Sequence, residues 1–128
     1  MKKLLFLMNP NAGQRKANKY LPEIIGLFNH YGWEPTVFMT TGPGSGTAIV
    51  VERAGQYDLI VCAAGDGTLI EAISGVLRAG SSCPIGYIPC GSTNDFAATL
   101  KLSTDVMKAA LDIMEGSPVE YDVGRFGD

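Results

Sequence analysis

The sequence predicts a three-layer α/β domain built on a mainly parallel sheet. Short apolar runs recur along the chain at 4–8, 36–39, 59–63, 85–88 and 119–123. Segments with helical apolar spacing, or short enough for a helix of two or three turns, lie between them. Turn residues, many of them glycine, follow the runs directly. Strands that alternate with helices in this way form a parallel sheet with helices on both faces.

The run 4–8 is apolar throughout and stops at Asn9-Pro10, as expected of a strand buried on both faces. With Lys2 and Lys3 before it, this start resembles a secretion signal, but the run is too short for one. Ala17, Leu21, Ile24, Ile25, Phe28 and Tyr31 then fall at helical steps. Pro22 lies among them, so this helix either starts near it or is kinked by it. Gly32 closes the helix. The second strand, 36–39, leads into Thr40, Thr41 and a glycine-rich turn at 42–46, and residues 48–54 form a helix. Strand 59–63 is the clearest buried one, and Gly65-Asp66-Gly67 follows at once. The helix over 68–77 places Leu69, Ile73, Val76 and Leu77 on one side. Strand 85–88 ends at Pro89 and the loop Cys90-Gly91-Ser92, and a short helical segment covers 93–100. Ser103 caps a helix running to about Met114, Gly116 stops it, and 119–123 is a last strand.

A chain of 128 residues suits one domain, 1–128, and 46% hydrophobic against 18% charged residues suffices for a core. The net charge of −3 argues against a nucleic-acid partner. Three cysteines, Cys62, Cys83 and Cys90, with no C-x-x-C pair, argue against a disulfide framework or a zinc site and for a reducing cytoplasm. Cys62 lies in an apolar run and reads as a small core residue. No stretch is long enough to span a membrane, so any membrane contact is expected to be peripheral. The sixteen glycines gather at a few loops, where they allow close approach of the backbone to a ligand.

In such sheets ligands bind outside the carboxyl ends of the strands. Four strand ends here carry polar or glycine-rich loops: Asn9-Pro10-Asn11-Ala12-Gly13, Thr40-Thr41-Gly42, Ala64-Gly65-Asp66-Gly67-Thr68 and Cys90-Gly91-Ser92-Thr93-Asn94-Asp95. Several precede helices, whose N-termini favour anions, so a phosphate ligand is the first expectation. Asp66, between two glycines, suits a magnesium ion or an attacking hydroxyl beside a phosphate, and equally a helix cap. The 42–46 segment lacks the lysine of a Walker A loop and follows the wrong strand for a dinucleotide fingerprint. It is read as a flexible surface loop with at most a supporting role. Residues 90–95 form either a second nucleotide loop, with Asn94 and Asp95 as hydrogen-bonding groups, or a helix start capped by Ser92 or Thr93. His30, the single histidine, lies near the end of the first helix, and without a G-x-S-x-G elbow a hydrolase triad through it is disfavoured. Cys90 fits a small loop residue as well as it fits a nucleophile.

In this order the loops resemble the catalytic region of the diacylglycerol kinase and sphingosine kinase superfamily, its bacterial lipid kinases above all. The Asn-Pro motif with its glycine turn matches Asn9 to Gly13. Gly-Gly-Asp-Gly-Thr matches Ala64-Gly65-Asp66-Gly67-Thr68, and the glutamate that follows it matches Glu71. Pro-x-Gly-Thr-x-Asn-Asp-Phe-Ala matches Pro89-Cys90-Gly91-Ser92-Thr93-Asn94-Asp95-Phe96-Ala97. The threonine ending the second strand matches Thr40 or Thr41. Ala64, Ser74, Ser92 and Ala98 depart from the usual glycine, asparagine, threonine and arginine. The resemblance implies a fold like that of NAD kinases and phosphofructokinases, and transfer of the ATP γ-phosphoryl to a lipid hydroxyl, diacylglycerol first. It implies that Gly65, Asp66, Gly67 and Thr68 cradle phosphates, with Asp66 holding Mg²⁺ or orienting the acceptor. Asn9 and Thr41 would meet phosphates or ribose, and Gly91, Ser92, Asn94 and Asp95 would frame the nucleotide. It also implies a second, β-rich domain outside this chain that holds much of the lipid site, leaving 1–128 nearly inactive alone. An NAD-kinase-like enzyme with a soluble substrate and a non-catalytic nucleotide-binding module are the alternatives.

Overall fold

The computed structural model describes residues 2–9, 16–90 and 106–116, and only the backbone at 16–18, 54 and 66. The elements are β1 (Lys2–Met8), α1 (Lys16–His30), β2 (Trp33–Met39), α2 (Ser45–Arg53), β3 (Leu59–Ala64), α3 (Asp66–Ala79), β4 (Ile85–Pro89) and α4 (Val106–Glu115). A single 3₁₀ turn, Ala54–Gln56, follows α2. The segment 93–100, the Ser103 cap and the strand 119–123 lie outside the described residues.

The four strands form one sheet in the order β2-β1-β3-β4, and every pairing is parallel. The chain leaves β1 for β2 on one side, then crosses back over β1 to β3 on the other. The helices therefore divide between the faces. On one face Leu4, Phe6, Met8, Val61 and Ile88 pack against α1 and α4, through Ile24, Phe28, Val106 and Ala110. On the other, Leu5, Leu7, Ile60, Cys62 and Tyr87 pack against α2 and α3, through Val50, Leu69, Ala72 and Ile73. This is the three-layer parallel α/β arrangement that the alternating runs predict. Consecutive β1 side chains alternate between the two cores because the strand period is two. Each fully buried aliphatic side chain contributes about 1.5–3 kcal/mol. Phe6 and Phe28 also meet edge to face, with ring centroids 5.7 Å apart.

α1 runs through Pro22 rather than starting at it. Gly32 ends it with φ +88°, a left-handed backbone suited to glycine. His30 is its last residue and meets the Tyr31 ring edge-on at 5.5 Å. α4 stops where expected, with the Gly116 N–H donating to the Asp112 carbonyl at 2.7 Å. Two helices begin earlier than the sequence suggests. α2 starts at Ser45, three residues before the expected 48, and α3 starts at Asp66 rather than 68. Leu77, expected on the inner side of α3, is 57% exposed. The inward stripe is Leu69, Ala72, Ile73 and Val76, and Leu77 lies at its edge with exposed Ile70.

α2 and α3 cross closely at two points. A Cβ on Gly75 would lie 2.7 Å from Val50 Cβ, and one on Gly46 would lie 3.1 Å from Glu71 Oε1. The two contacts pair 46 with 71 and 50 with 75, so they recur four residues apart on both helices, one turn along each. Each contact uses the absence of a side chain on one helix to admit the other.

Candidate functional site

The carboxyl ends of β1, β2 and β3 open on one cleft of about 410 Å³. Asn9 lies at its floor, Thr40, Thr41, Gly42 and Pro43 form one wall, and Gly67, Thr68 and Glu71 form the other. The floor is a continuation of the sheet. The Asn9 N–H donates to the Ala63 carbonyl at 3.4 Å, and the Thr40 N–H to the Met8 carbonyl at 2.9 Å. The cleft thus sits where β1 and β3 are neighbours but their connections leave in opposite directions, the switch point at which open α/β sheets bind ligands.

The Thr40–Pro43 wall runs into α2. The Thr41 N–H donates to Ser45 Oγ at 3.0 Å, the Ser45 N–H to the Gly42 carbonyl at 3.1 Å, and the Ala48 N–H to the Gly44 carbonyl at 3.1 Å. Gly44 has φ +84°, which favours glycine. The reading of 42–46 as a surface loop holds for the exposed turn 42–44 and is corrected at Ser45 and Gly46. Ser45 and Gly46 are the first turn of α2, Gly46 is buried, and Gly42 and Pro43 line the cleft. The sequence hides this because three glycines and a proline give no helical apolar period.

The other wall is the start of α3. Gly65 is its N-cap, with φ −80° and ψ 178°, and makes no side-chain cap. The cap is thus Gly65, and Asp66 takes the first helical position instead of capping. The first intrahelical bond runs from the Leu69 N–H to the Gly65 carbonyl at 3.4 Å. The amides before Leu69 have no carbonyl a full turn earlier in the helix, so this end carries partial positive charge. Gly67 borders the cleft, and a Cβ there would meet nothing within 4 Å. Thr68 is only 8% exposed yet lines the cleft.

Glu71, matched by the resemblance but given no role in the site, also lines the cleft. Its Oε1 accepts the Gly46 N–H at 2.9 Å, and its carbonyl accepts the Thr47 hydroxyl at 2.9 Å. Spacing could have found it, since Gly67 and Glu71 are four residues apart and share a helix face. The structure thus brings Asn9, Thr41, Gly67 and Thr68 to one cleft, with Gly65 capping the helix behind them. The Asp66 side chain and residues Gly91, Ser92, Asn94 and Asp95 lie outside the described residues.

Among the described residues, those that line the cleft include one carboxylate, Glu71, and no lysine or arginine. Among the described residues there is no group of three or more His, Cys, Asp or Glu that could hold a metal ion. None of their helices is long and apolar enough to cross a membrane. Cys90 is 1% exposed in the core against α4, and its N–H donates to the Ala64 carbonyl at 2.9 Å. It is a core residue and not an exposed nucleophile. Burial pushes the Cys62 thiol up to about 12. Burial, then the Asp58 charge, pushes the Cys83 thiol up to about 11. Reactive thiols are shifted the other way. Ala64, in place of the usual glycine, is the last residue of β3, in a strand backbone that accepts a Cβ.

Fold and cleft define a doubly wound α/β domain with strand order 2-1-3-4 and a ligand cleft at the switch point, walled by one helix N-terminus. The profile of the diacylglycerol kinase catalytic domain matches residues 3–126, and the chain belongs to that family. It is 36% identical over 126 residues to a diacylglycerol kinase of Staphylococcus carnosus, an alignment covering 97% of this chain and 41% of that protein. It is 34% identical over 127 residues to a diacylglycerol kinase of Bacillus subtilis, covering 98% of this chain and 42% of that one. A solved diacylglycerol kinase structure from Bacillus anthracis superposes with a TM-score of 0.79 at 30% identity, covering 89% of this chain and 40% of the other. The chain thus spans about two fifths of the length of these relatives.

Proposed function

We propose that this chain is the nucleotide-binding domain of a lipid kinase that transfers the γ-phosphoryl of ATP to a lipid hydroxyl, that of diacylglycerol. The observation that carries the reading is the glycine-capped start of α3 facing a strand-end cleft next to Gly67. A helix N-terminus of this kind accepts phosphate oxygens through backbone N–H groups. Gly67 needs its small size neither for its φ nor for packing against the described residues. A phosphate approaching the backbone does need it. Family membership supplies the reaction class, and the relatives' names supply the lipid.

Gly65, Asp66, Gly67 and Thr68 cradle phosphates in this reading. Asn9 and Thr41 contact phosphates or ribose from the floor and the opposite wall, and Gly91, Ser92, Asn94 and Asp95 frame the nucleotide. Phosphoryl transfer depends chiefly on positioning and on charge stabilisation. A Mg²⁺ ion typically needs only one or two carboxylates in addition to substrate phosphates and water. A cleft with a single described carboxylate fits such an ion and not an all-protein cage. Asp66 is the residue assigned to it, or to orienting the acceptor hydroxyl. When bound, the ion neutralises developing charge on the phosphates, a role that no cationic side chain among the described lining residues supplies. A β-rich second domain contributes the lipid site, and the protein works in the cytoplasm with peripheral contact to the membrane that holds its substrate.

The test is titration calorimetry with ATP and Mg²⁺ on the wild type, Asp66→Ala and Gly67→Ala, with thermal unfolding as the control for folding. Weaker binding in Gly67→Ala and an altered metal dependence in Asp66→Ala support the reading. Equal binding in all three removes the nucleotide from this loop. Phosphorylation of diacylglycerol in mixed micelles then tests the acceptor separately.

A further inference from the structure

The geometry points to Glu71 as a positioning residue of the cleft, whose carboxylate latches the α2 wall to the α3 wall; this rests on the nucleotide reading above. Its side chain leaves α3 at the second turn, and Oε1 accepts the Gly46 N–H at 2.9 Å. Gly46 is in the first turn of α2, so the carboxylate satisfies one of the amides that lack an intrahelical partner. Next to it Ser45 Oγ accepts the Thr41 N–H at 3.0 Å. A continuous path therefore runs from Glu71 through Gly46 and Ser45 to Thr41, from one wall of the cleft to the other. A second bond, from Thr47 Oγ1 to the Glu71 carbonyl, fastens the same two helices but does not involve the carboxylate. The site is built for this contact. A Cβ on Gly46 would lie 3.1 Å from Oε1 and 3.3 Å from Glu71 Cβ, so only glycine brings α2 this close without displacing the glutamate.

The latch sets the distance between Thr41 and the α3 N-terminus, and so the width offered to a ligand held by both walls. Its requirement is for a hydrogen-bond acceptor of the right length and not for charge. Glutamine keeps an oxygen at the same reach, and alanine does not. A role in contacting a cation or a phosphate-bound metal requires the charge, which both variants lose.

The experiment measures ATP–Mg²⁺ binding by calorimetry for wild type, Glu71→Ala, Glu71→Gln and Thr47→Val, with Gly46 amide exchange and thermal unfolding followed alongside. Glu71→Ala is expected to weaken ATP binding about tenfold and to speed Gly46 exchange, and Glu71→Gln to restore both to within about twofold. Thr47→Val removes the neighbouring bond, lowers stability, and leaves ATP affinity within about twofold of wild type. The proposal is overturned if Glu71→Gln is as impaired as Glu71→Ala, if Glu71→Ala binds ATP normally, or if Thr47→Val loses ATP binding to the same extent. A wild type that binds no ATP removes the nucleotide from this cleft in 1–128, and with it the reading on which the latch rests, whereas failure of the latch shows as unchanged Gly46 exchange in Glu71→Ala.

Discussion

Alanine at Gly75 would place its methyl carbon 2.7 Å from Val50 Cβ, 2.8 Å from Val50 Cγ1 and 3.1 Å from the Thr47 carbonyl oxygen. Non-bonded carbons in contact sit about 3.5–4.0 Å apart, so the overlap is close to ~1 Å. Val50 Cβ is bonded directly to the α2 backbone, and no rotamer change moves it away. The helices must separate. Overpacking costs about 1–3 kcal/mol, and a clash against backbone-anchored atoms belongs in the upper half of that range. Alanine is better than glycine inside a helix by about 1 kcal/mol, which offsets part of it. The net expectation is a loss of about 1–2 kcal/mol. With an unfolding entropy of about 2.1 cal/mol/K per residue over 128 residues, Tm falls by about 4–7 °C. Gly26 is the control. It lies in α1, and a Cβ there meets nothing within 4 Å. Only the helix preference acts, so Gly26→Ala raises Tm by about 2–4 °C. Thermal unfolding followed by circular dichroism at 222 nm compares the two variants with wild type. A Gly75→Ala protein as stable as wild type, or shifted upward like Gly26→Ala, refutes the close crossing of α2 and α3 and removes the frame on which the Glu71 latch depends.

Gly67→Ala should change Tm by no more than about 2–4 °C, since its Cβ has open space, while weakening ATP binding about tenfold; parallel calorimetry and thermal melts check both, and a large Tm loss would show that the residue serves the fold. Cys62 and Cys83 should react slowly with a thiol-specific reagent in the folded protein at pH 8, because burial holds both as thiols; rapid labelling of Cys62 before unfolding contradicts this. Both folded values lie above the ordinary thiol value of 9.0, so the unfolded chain gives up these protons first as pH rises. Their contribution to stability is present below pH 9 and is lost between pH 9 and about 12, so Tm should fall across that window and fall less steeply in Cys62→Ala. Phe28→Ala should cost about 3–5 kcal/mol in chemical denaturation by emptying the core between β1 and α1, and a loss below about 1 kcal/mol would mean the site collapses around the cavity.

The parallel sheet was legible because its strands are buried on both faces. All six residues of β3 are buried, so the run 59–63 has no polar alternation to confuse with an edge strand. The inner stripe of α3 was legible through Leu69, Ile73 and Val76, but Leu77 was assigned inward on period alone. A period marks a direction and not how far the partner layer extends, and α3 has passed the edge of its core by Leu77. The start of α2 was not legible for a different reason. Ser45 and Gly46 have neither apolar period nor strong helix preference, and they are helical because the Glu71 carboxylate and the Gly44 turn fix their backbone. Glu71 lies 25 residues from its partner amide, a distance over which no local pattern in the sequence applies. The strand-end loops, by contrast, were visible as glycine and polar clusters because ligand sites in such sheets are confined to that edge.

The glycines near the cleft separate into those the fold requires and two, Gly42 and Gly67, that line the cleft without such a requirement. Gly44 is in the left-handed region at φ +84°, a conformation that side chains disfavour. Gly46 and Gly75 lie where a Cβ would press on Glu71 or Val50, so packing requires them. Gly67 has neither constraint, and glycine within a helix costs about 0.5–1 kcal/mol relative to alanine. Its neighbours on the protein side do not need its smallness, and it is the cleft side that benefits from a bare backbone. The same contrast bears on the lack of cationic side chains among the described lining residues. Lysine or arginine would bring charge on a long flexible stem, whereas amides at the start of α3 bring partial charge already fixed in direction by the helix. A site made of backbone donors is set by where the helices stand, and that position depends on Gly46, Gly75 and Glu71 at the crossing. The packing glycines and Gly67 therefore act on one quantity, the placement of the α3 N-terminus relative to Thr41. This is why substitutions at Gly46 and Gly75, which do not line the cleft, are expected to alter ligand affinity as well as stability.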